Sequence, residues 1–472
     1  MTSNSESQKL TKSGVAAFRD RLYRRKQKFI SEKAFVFILA SIVGVGTGIM
    51  AHLLKLAIAH ISRFVTMSVG KTMPDWWLLV SPAIGVLIVV ALISYIFKLR
   101  LSHGVRIIKS RLKARTPELP TQLTYSPLLT AALTLGFGGS AGAEGPIAFS
   151  GAALGSTVGK VFNLSKPMMM IMFGCGAGAG IAAIFKAPIG GALFTLEVLR
   201  MGLGAYGVMV LGVTTLIAGL TATALGGFNL DMVIREVQYY DPHVIPWAIG
   251  LGIFCGVYSL YYSYIMKLIE HLLDRMKNPW IKGAVSGTLV GVVVMLIPAL
   301  YGEGYGVMGH ILNGDFSAMA YGMSLNPDDG SSHALLYVAL SVVAVKCFVT
   351  SLSYNGGGVT GEFAPTLYAG CFAGYLFGAV CNLWFDVHLP VSQMAFFGMA
   401  GVMAGAIRAP LMAMFIVVEM SSAYTLLLPV AVVAAISFGI VRLFTNDSFF
   451  SYNMDRNNGL VAWIKSMFEF ND

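Results

Sequence analysis

Gly138-Gly-Ser-Ala-Gly142-Ala-Glu144-Gly-Pro146 is continued by Gly151, Gly155 and Gly159, and Gly357-Gly-Val-Thr-Gly361-Glu-Phe363-Ala-Pro365 is continued by Gly370, Gly374 and Gly378. Six glycines and one proline coincide between these stretches at an offset of 219 residues. Each copy reads as a glycine-rich loop that feeds a helix with proline in its first turn, followed by small residues at i, i+4 and i+8. Such a loop presents backbone N–H groups at the positive end of a helix, which is an anion-binding arrangement. Two copies in one apolar chain point to an anion pathway.

The composition sets the surroundings. Of 472 residues, 56% are hydrophobic and 12% charged, with a mean hydropathy of +0.71. This is too apolar for a soluble domain, and the length suffices for well over ten membrane segments of about 20 residues. Long apolar runs lie at Phe35–Ile61, Leu78–Phe97 and Ala334–Leu352. Shorter runs cut by Gly and Pro lie at Pro167–Ala183, Pro188–Leu199 and Pro410–Ala423, and predict helices that end inside the bilayer beside a polar cavity.

The net charge of +10 is not a nucleic-acid signature, because the basic residues cluster at membrane edges. Nine Lys/Arg fall in the first 33 residues and seven more between Lys98 and Arg115. Both clusters belong on the cytoplasmic side by the positive-inside rule, joined by two crossings near 35–64 and 77–97. The polar lead of about 30 residues is not a signal peptide. The five cysteines are scattered without paired spacing and read as buried small hydrophobes, so neither a metal site nor a cofactor is expected.

A second pair of landmarks extends the repeat. Ala182-Ala-Ile-Phe-Lys-Ala187-Pro188 is followed by Glu197, and Ala404-Gly-Ala-Ile-Arg-Ala409-Pro410 by Glu419 at the same spacing, now at an offset of 222. We therefore expect a basic segment 1–34, a first membrane repeat 35–226, a linker 227–243, a second repeat 244–445 and a tail 446–472 with no room for a regulatory domain. Inversion of the repeats is favoured, because it aims both glycine loops at one midplane site.

Glu144 is the sharpest single residue. Ionised, its carboxylate would itself occupy an anion site among N–H donors; protonated, it would lose its charge and leave. A plain helix-capping role is the alternative. Glu197 and Glu419 are intramembrane carboxylates, and their symmetry favours structural hydrogen bonds over transport. Lys186 and Arg408, before the matched prolines, read as interfacial side chains.

Taken together, these residues resemble the CLC family of chloride channels and chloride/proton exchangers over about residues 35–460. Gly142-Ala-Glu144-Gly-Pro146 matches its GxEGP motif, Gly361-Glu-Phe363-Ala-Pro365 matches GxFxP, and Ser102-His103-Gly104-Val105 is a degraded first anion loop. Asp447-Ser-Phe-Phe450-Ser resembles the family's inner D-S-x-Y-T stretch. The resemblance implies an all-α polytopic fold with two inverted repeats and several broken helices. It implies a homodimer with one pore per subunit in the cell's inner membrane, N-terminus cytoplasmic, moving chloride and related small anions. Glu144 would be the gate. Anion-site candidates are Ser102, His103 and Gly104; Gly142, Ala143 and Gly145; Gly361, Glu362, Phe363 and Ala364; and Phe450.

The departures from the pattern bear on mechanism. His103 stands where the family has an anion-coordinating serine, and a neutral imidazole can donate one hydrogen bond as serine does; a cytoplasmic-edge histidine with no ligand role is the equal alternative. Arg106 replaces a proline, so this loop is not expected to open its helix in the usual way. Val198, after Glu197, stands where exchangers carry a proton-delivering glutamate, and Phe450 stands where a tyrosine hydroxyl faces the central anion. Glu362 would repel chloride if it faced the pore; it is expected to point away or to act as a second titratable gate. Val198 and Phe450 together favour uncoupled or loosely coupled anion transport, with chloride/proton exchange as the alternative. Fluoride fits less well, because both glycine–proline motifs follow the chloride-type pattern. An embedded enzyme using Glu144, Glu197 and Glu419 is a remote rival, since no nucleophile–base pair or metal-ligand spacing accompanies them.

Overall fold

The computed structural model describes residues 31–67, 76–99, 103–227, 239–320 and 332–445. Among these it is all-helical apart from one isolated β-bridge. The first half contains α1 (Glu32–Met67), α2 (Trp76–Ala91, extended by a π-helical turn Leu92–Phe97), α3 (Gly104–Lys113), α4 (Ser126–Gly136), α5 (Glu144–Val161), α6 (Lys166–Phe185), α7 (Pro188–Leu193, continued as a π turn to Val198) and α8 (Ala205–Gly226). The second contains α9 (Ile245–Asp274), α10 (Pro279–Leu296), α11 (Tyr305–Leu312), α12 (Ser332–Asn355), α13 (Phe363–Phe385), α14 (Val391–Ile407), α15 (Pro410–Ser421) and α16 (Leu427–Phe444).

Nine helices among the described residues are long and apolar enough to cross a membrane. The chain is a multi-pass membrane protein. At 36 residues α1 is about 54 Å long, well beyond the hydrocarbon core of about 30 Å. The run at 167–183 departs from its reading as a broken helix: it lies within α6, a full 20-residue helix. Its glycines do not interrupt it, because they are where another helix presses against it. The segments at 188–198 and 410–421 are short, as their prolines suggest; α15 has 12 residues.

Burial separates core from periphery. In α6 and α13, 83% and 78% of the apolar window is buried, against 33% in α2 and α10, which lie at the periphery. The glycine stripes explain the central pairs, α5 on α6 and α13 on α14. A Cβ on Gly151 would lie 2.2 Å from the Gly176 carbonyl oxygen, and one on Gly374 would lie 2.1 Å from that of Met394. Backbone packs directly on backbone there, which only Gly allows.

The two halves interlock reciprocally. Met412 and Leu411 donate their N–H groups to the Glu197 carboxylate at 2.8 and 3.3 Å, while Gly190 and Ile189 donate theirs to Glu419 at 2.8 and 3.0 Å. Each glutamate thus satisfies the helix start of the opposite half, where α7 and α15 begin with N–H groups that have no partner within their own helix. Lys186 and Arg408 close α6 and α14 in the left-handed conformation, at φ 53° and 62°.

Candidate functional site

The glycine loops meet head to head. Gly142 N–H donates to the Gly361 oxygen at 3.0 Å and Gly361 N–H to the Gly142 oxygen at 2.5 Å, an antiparallel bridge between residues at the same place in the two motifs. A side chain cannot enter this joint. A Cβ on Gly361 would lie 2.5 Å from the Gly145 nitrogen, and one on Gly142 would lie 2.0 Å from Oε2 of Glu144. Helices α5 and α13 start immediately beyond, so their first-turn N–H groups converge on one place.

Glu144 occupies that place and is fully buried. Tyr305 donates its hydroxyl to Oε1 at 3.0 Å. The N–H groups of Glu144 itself and of Ala364 face the carboxylate, while Oε2 is buried without a hydrogen bond. The carboxylate sits where the helix-start amides would hold a free anion.

Among the other candidate positions, Gly142 and Gly361 have their N–H groups committed to each other. That of Ala143 is committed to Oε1 of Glu303 at 3.1 Å. The donor role expected of these three amides is therefore taken by protein oxygens in this structure. Gly145, Phe363 and Ala364 remain in the converging first turns. The Phe363 ring lies edge-on to Phe194 at 5.7 Å, which ties the second loop to the π turn carrying Glu197 and Val198.

His103 caps α3 at φ 62° and sets its ring edge-on to Tyr354 at 4.7 Å. Burial and then the neighbouring Arg106 lower its pKa to about 4, so the ring is neutral at ordinary pH, with Nδ1 unpartnered. With Arg106 in the place of a proline, α3 begins at Gly104 behind a left-handed His103 and without a side-chain cap. The Arg106 guanidinium points back to α9 and pairs with both carboxylate oxygens of Glu270.

Glu362, 3% exposed, is buried towards the Tyr354 hydroxyl, with Oε1 unpartnered. Val198 is a buried aliphatic residue that has no group to carry a proton. Ser102 and Phe450 lie outside the described residues.

Sequence reasoning missed three groups: Glu303, Tyr305 and Lys346. Gly302 and Gly304 take φ 68° and 83°, and a side chain on Gly304 would strike Tyr368. The turn so formed carries Glu303 and Tyr305 to the start of α5. Lys346 was visible as a lone cation in the apolar run 334–352, a functional signal by default.

The profile described as "Voltage gated chloride channel" matches residues 85–442, which contain both glycine loops. The chain belongs to the CLC family. Members of that family are channels or transporters rather than enzymes. A Ralstonia nicotianae protein provisionally named a ClcB-like chloride channel protein is 25% identical over 381 residues, 77% of this chain and 82% of its own. The H(+)/Cl(-) exchange transporter ClcA of Vibrio parahaemolyticus is 25% identical over 445 residues, 89% of each chain. Among solved structures, a slow cyanobacterial Cl-/H+ antiporter superposes with a TM-score of 0.74 at 21% identity, covering 93% of this chain and 99% of its own.

Proposed function

We propose that this CLC protein exchanges chloride for protons through a pathway gated by Glu144. The observation that carries the reading is the seat of Glu144: a buried carboxylate lodged in converging helix-start amides, bonded by Tyr305. Chloride and that carboxylate compete for one place. Protonation removes the carboxylate's charge and its hold on the amides, so proton binding and anion entry are linked.

Relatives named as exchangers support coupling over the uncoupled transport that Val198 and Phe450 favoured on sequence grounds. The cytoplasmic proton then needs a route that avoids Val198. Glu362 and Tyr354 offer one, because this buried carboxylate is one residue from Gly361 and faces towards α3, the helix of the basic cluster. Glu197 fits the route poorly, since its oxygens already accept two backbone N–H bonds.

We further read 35–226 and 244–445 as one transport unit, flanked by segments 1–34 and 446–472. Two such chains would form a homodimer in the inner membrane, with the basic N-terminal segment cytoplasmic and with lipid, small anions and protons as further partners.

Passive conduction is the second reading, favoured by Val198. Proteoliposomes holding a chloride gradient decide between them. Uphill proton movement in fixed proportion to chloride is expected, whereas chloride flux without proton movement would establish the passive reading.

A further inference from the structure

The gate's surroundings hold a group with no place in the exchange reading. Lys346, on α12, is 1% exposed, and no other cation among the described residues is buried as completely. Nζ donates to Ser140 Oγ in the first glycine loop at 2.8 Å and lies 4.5 Å from the centroid of Tyr368, on the helix of the second loop. Ser140 in turn donates its N–H to Ser353, back on α12. The electrostatic neighbours of the ammonium are the carboxylates of Glu303 and Glu144. Glu303 accepts the Ala143 N–H directly before the gate residue.

A fully buried ammonium is tolerated only beside compensating charge. With Glu144 ionised, two carboxylates face one cation; with Glu144 protonated, Lys346 and Glu303 balance one to one. The charge state of the gate therefore alters the balance of the whole cluster. The remaining groups facing Glu144 are the Tyr305 hydroxyl and, from α1, Lys55.

We propose that Lys346 is a positioning residue for the gate, its buried ammonium holding the ionised Glu144 carboxylate in the joint while Glu303 limits the strength of that hold. The proposal rests on Glu144 as gate. Its distinctive consequence is a pair of opposite shifts. Lys346→Met removes the cation that favours ionised Glu144, so protonation becomes easier and flux should open at higher pH. Glu303→Gln removes a competing negative charge, so protonation becomes harder and opening should move to lower pH. A cation within about 4–6 Å displaces a carboxylate by about one to three pH units, and Lys346 reaches the joint through Ser140, so a shift of up to about one unit is expected for Lys346→Met. Lys346→Arg should restore the wild-type profile, and the double variant Lys346→Met/Glu303→Gln should fall between the singles.

The test is chloride efflux from proteoliposomes between pH 4.5 and 8, as pH at half-maximal rate, with size-exclusion elution confirming the fold of each variant. Calorimetric titration of the detergent-solubilised protein with chloride reads the same cluster without transport. At the acid end of the series, where protonated Glu144 has left the joint and chloride takes its place beside the same cation, Lys346→Met should weaken binding about tenfold and Glu303→Gln should strengthen it. Shifts of opposite sign support the proposal. Folded variants with unmoved profiles, or shifted in the same direction, overturn it, as does unchanged chloride affinity in both. A wild-type protein that binds chloride but moves none would instead remove the exchange reading and leave the cluster to be judged by the titration.

Discussion

Glu144, Glu197 and Glu419 are all buried or half-buried carboxylates at helix starts, yet their partners give them different capacities. Glu197 and Glu419 each accept two backbone N–H bonds from the opposite half, whereas Glu144 faces its own N–H and that of Ala364, accepts the Tyr305 hydroxyl and keeps one oxygen without a hydrogen bond. Glu144→Gln, a neutral isostere, should leave chloride efflux running but flat across an acid-to-neutral pH series. A pH response like that of the wild type would remove Glu144 from the gate. Glu197→Ala and Glu419→Ala should each leave two helix-start donors without their acceptor, a loss of about 1–3 kcal/mol per variant. Thermal unfolding in detergent should show comparable drops for the two, and a drop confined to one would deny their equivalence. His103, neutral by burial with a pKa of about 4, should contribute nothing to pH dependence between pH 5 and 8.

At the scale of elements, the glycines divide by what surrounds them. Those at 151, 155, 370 and 374 face a carbonyl oxygen of the neighbouring helix at 2.1–2.3 Å from a hypothetical Cβ, and backbone cannot rotate away as a side chain can. Gly155→Val or Gly374→Val should therefore separate α5 from α6 or α13 from α14 and abolish the monodisperse folded protein on size exclusion. By contrast, Gly212 on α8 and Gly439 on α16 have nothing within 4 Å of a Cβ. Alanine there should be tolerated and raise stability by about 0.5–1 kcal/mol, because it lowers the entropy lost on forming the helix. Equal tolerance at both sets would contradict the close backbone packing. Gly142 and Gly361 combine both constraints, since the joint also positions the gate.

At the scale of the whole molecule, the proposed exchange needs a proton route past a relay position that is aliphatic. Val198 is buried and inert, but Glu362 places a carboxylate next to the gate's joint from the opposite side. Glu362→Gln should uncouple transport, with chloride flux persisting and uphill proton movement falling by tenfold or more in the same vesicles. If coupling survives in Glu362→Gln, the proton travels by another path. Val198→Glu should add little in the wild-type background, where a carboxylate already serves the gate.

Much of this organisation was legible in the linear chain. Hydropathy marked the membrane class, because a bilayer demands apolar length regardless of packing partners. The offsets of 219 and 222 residues revealed the duplication and paired Glu197 with Glu419, because chemical identity at fixed spacing survives without coordinates. The glycine–proline loops and Glu144 were readable for the same reason: backbone N–H groups at a helix start attract anions whatever lies around them. Three things needed the tertiary structure. The run at 167–183 is continuous helix, since its glycines serve a neighbouring helix rather than a break. The amides of Gly142, Ala143 and Gly361 have partners 160 or more residues away in the chain. Lys346, Glu303 and Tyr305 gather around Glu144 and its loop from one helix and one turn that no local pattern connects. Sequence spacing determines what each helix end offers; only the packing of one half against the other decides which charge it faces.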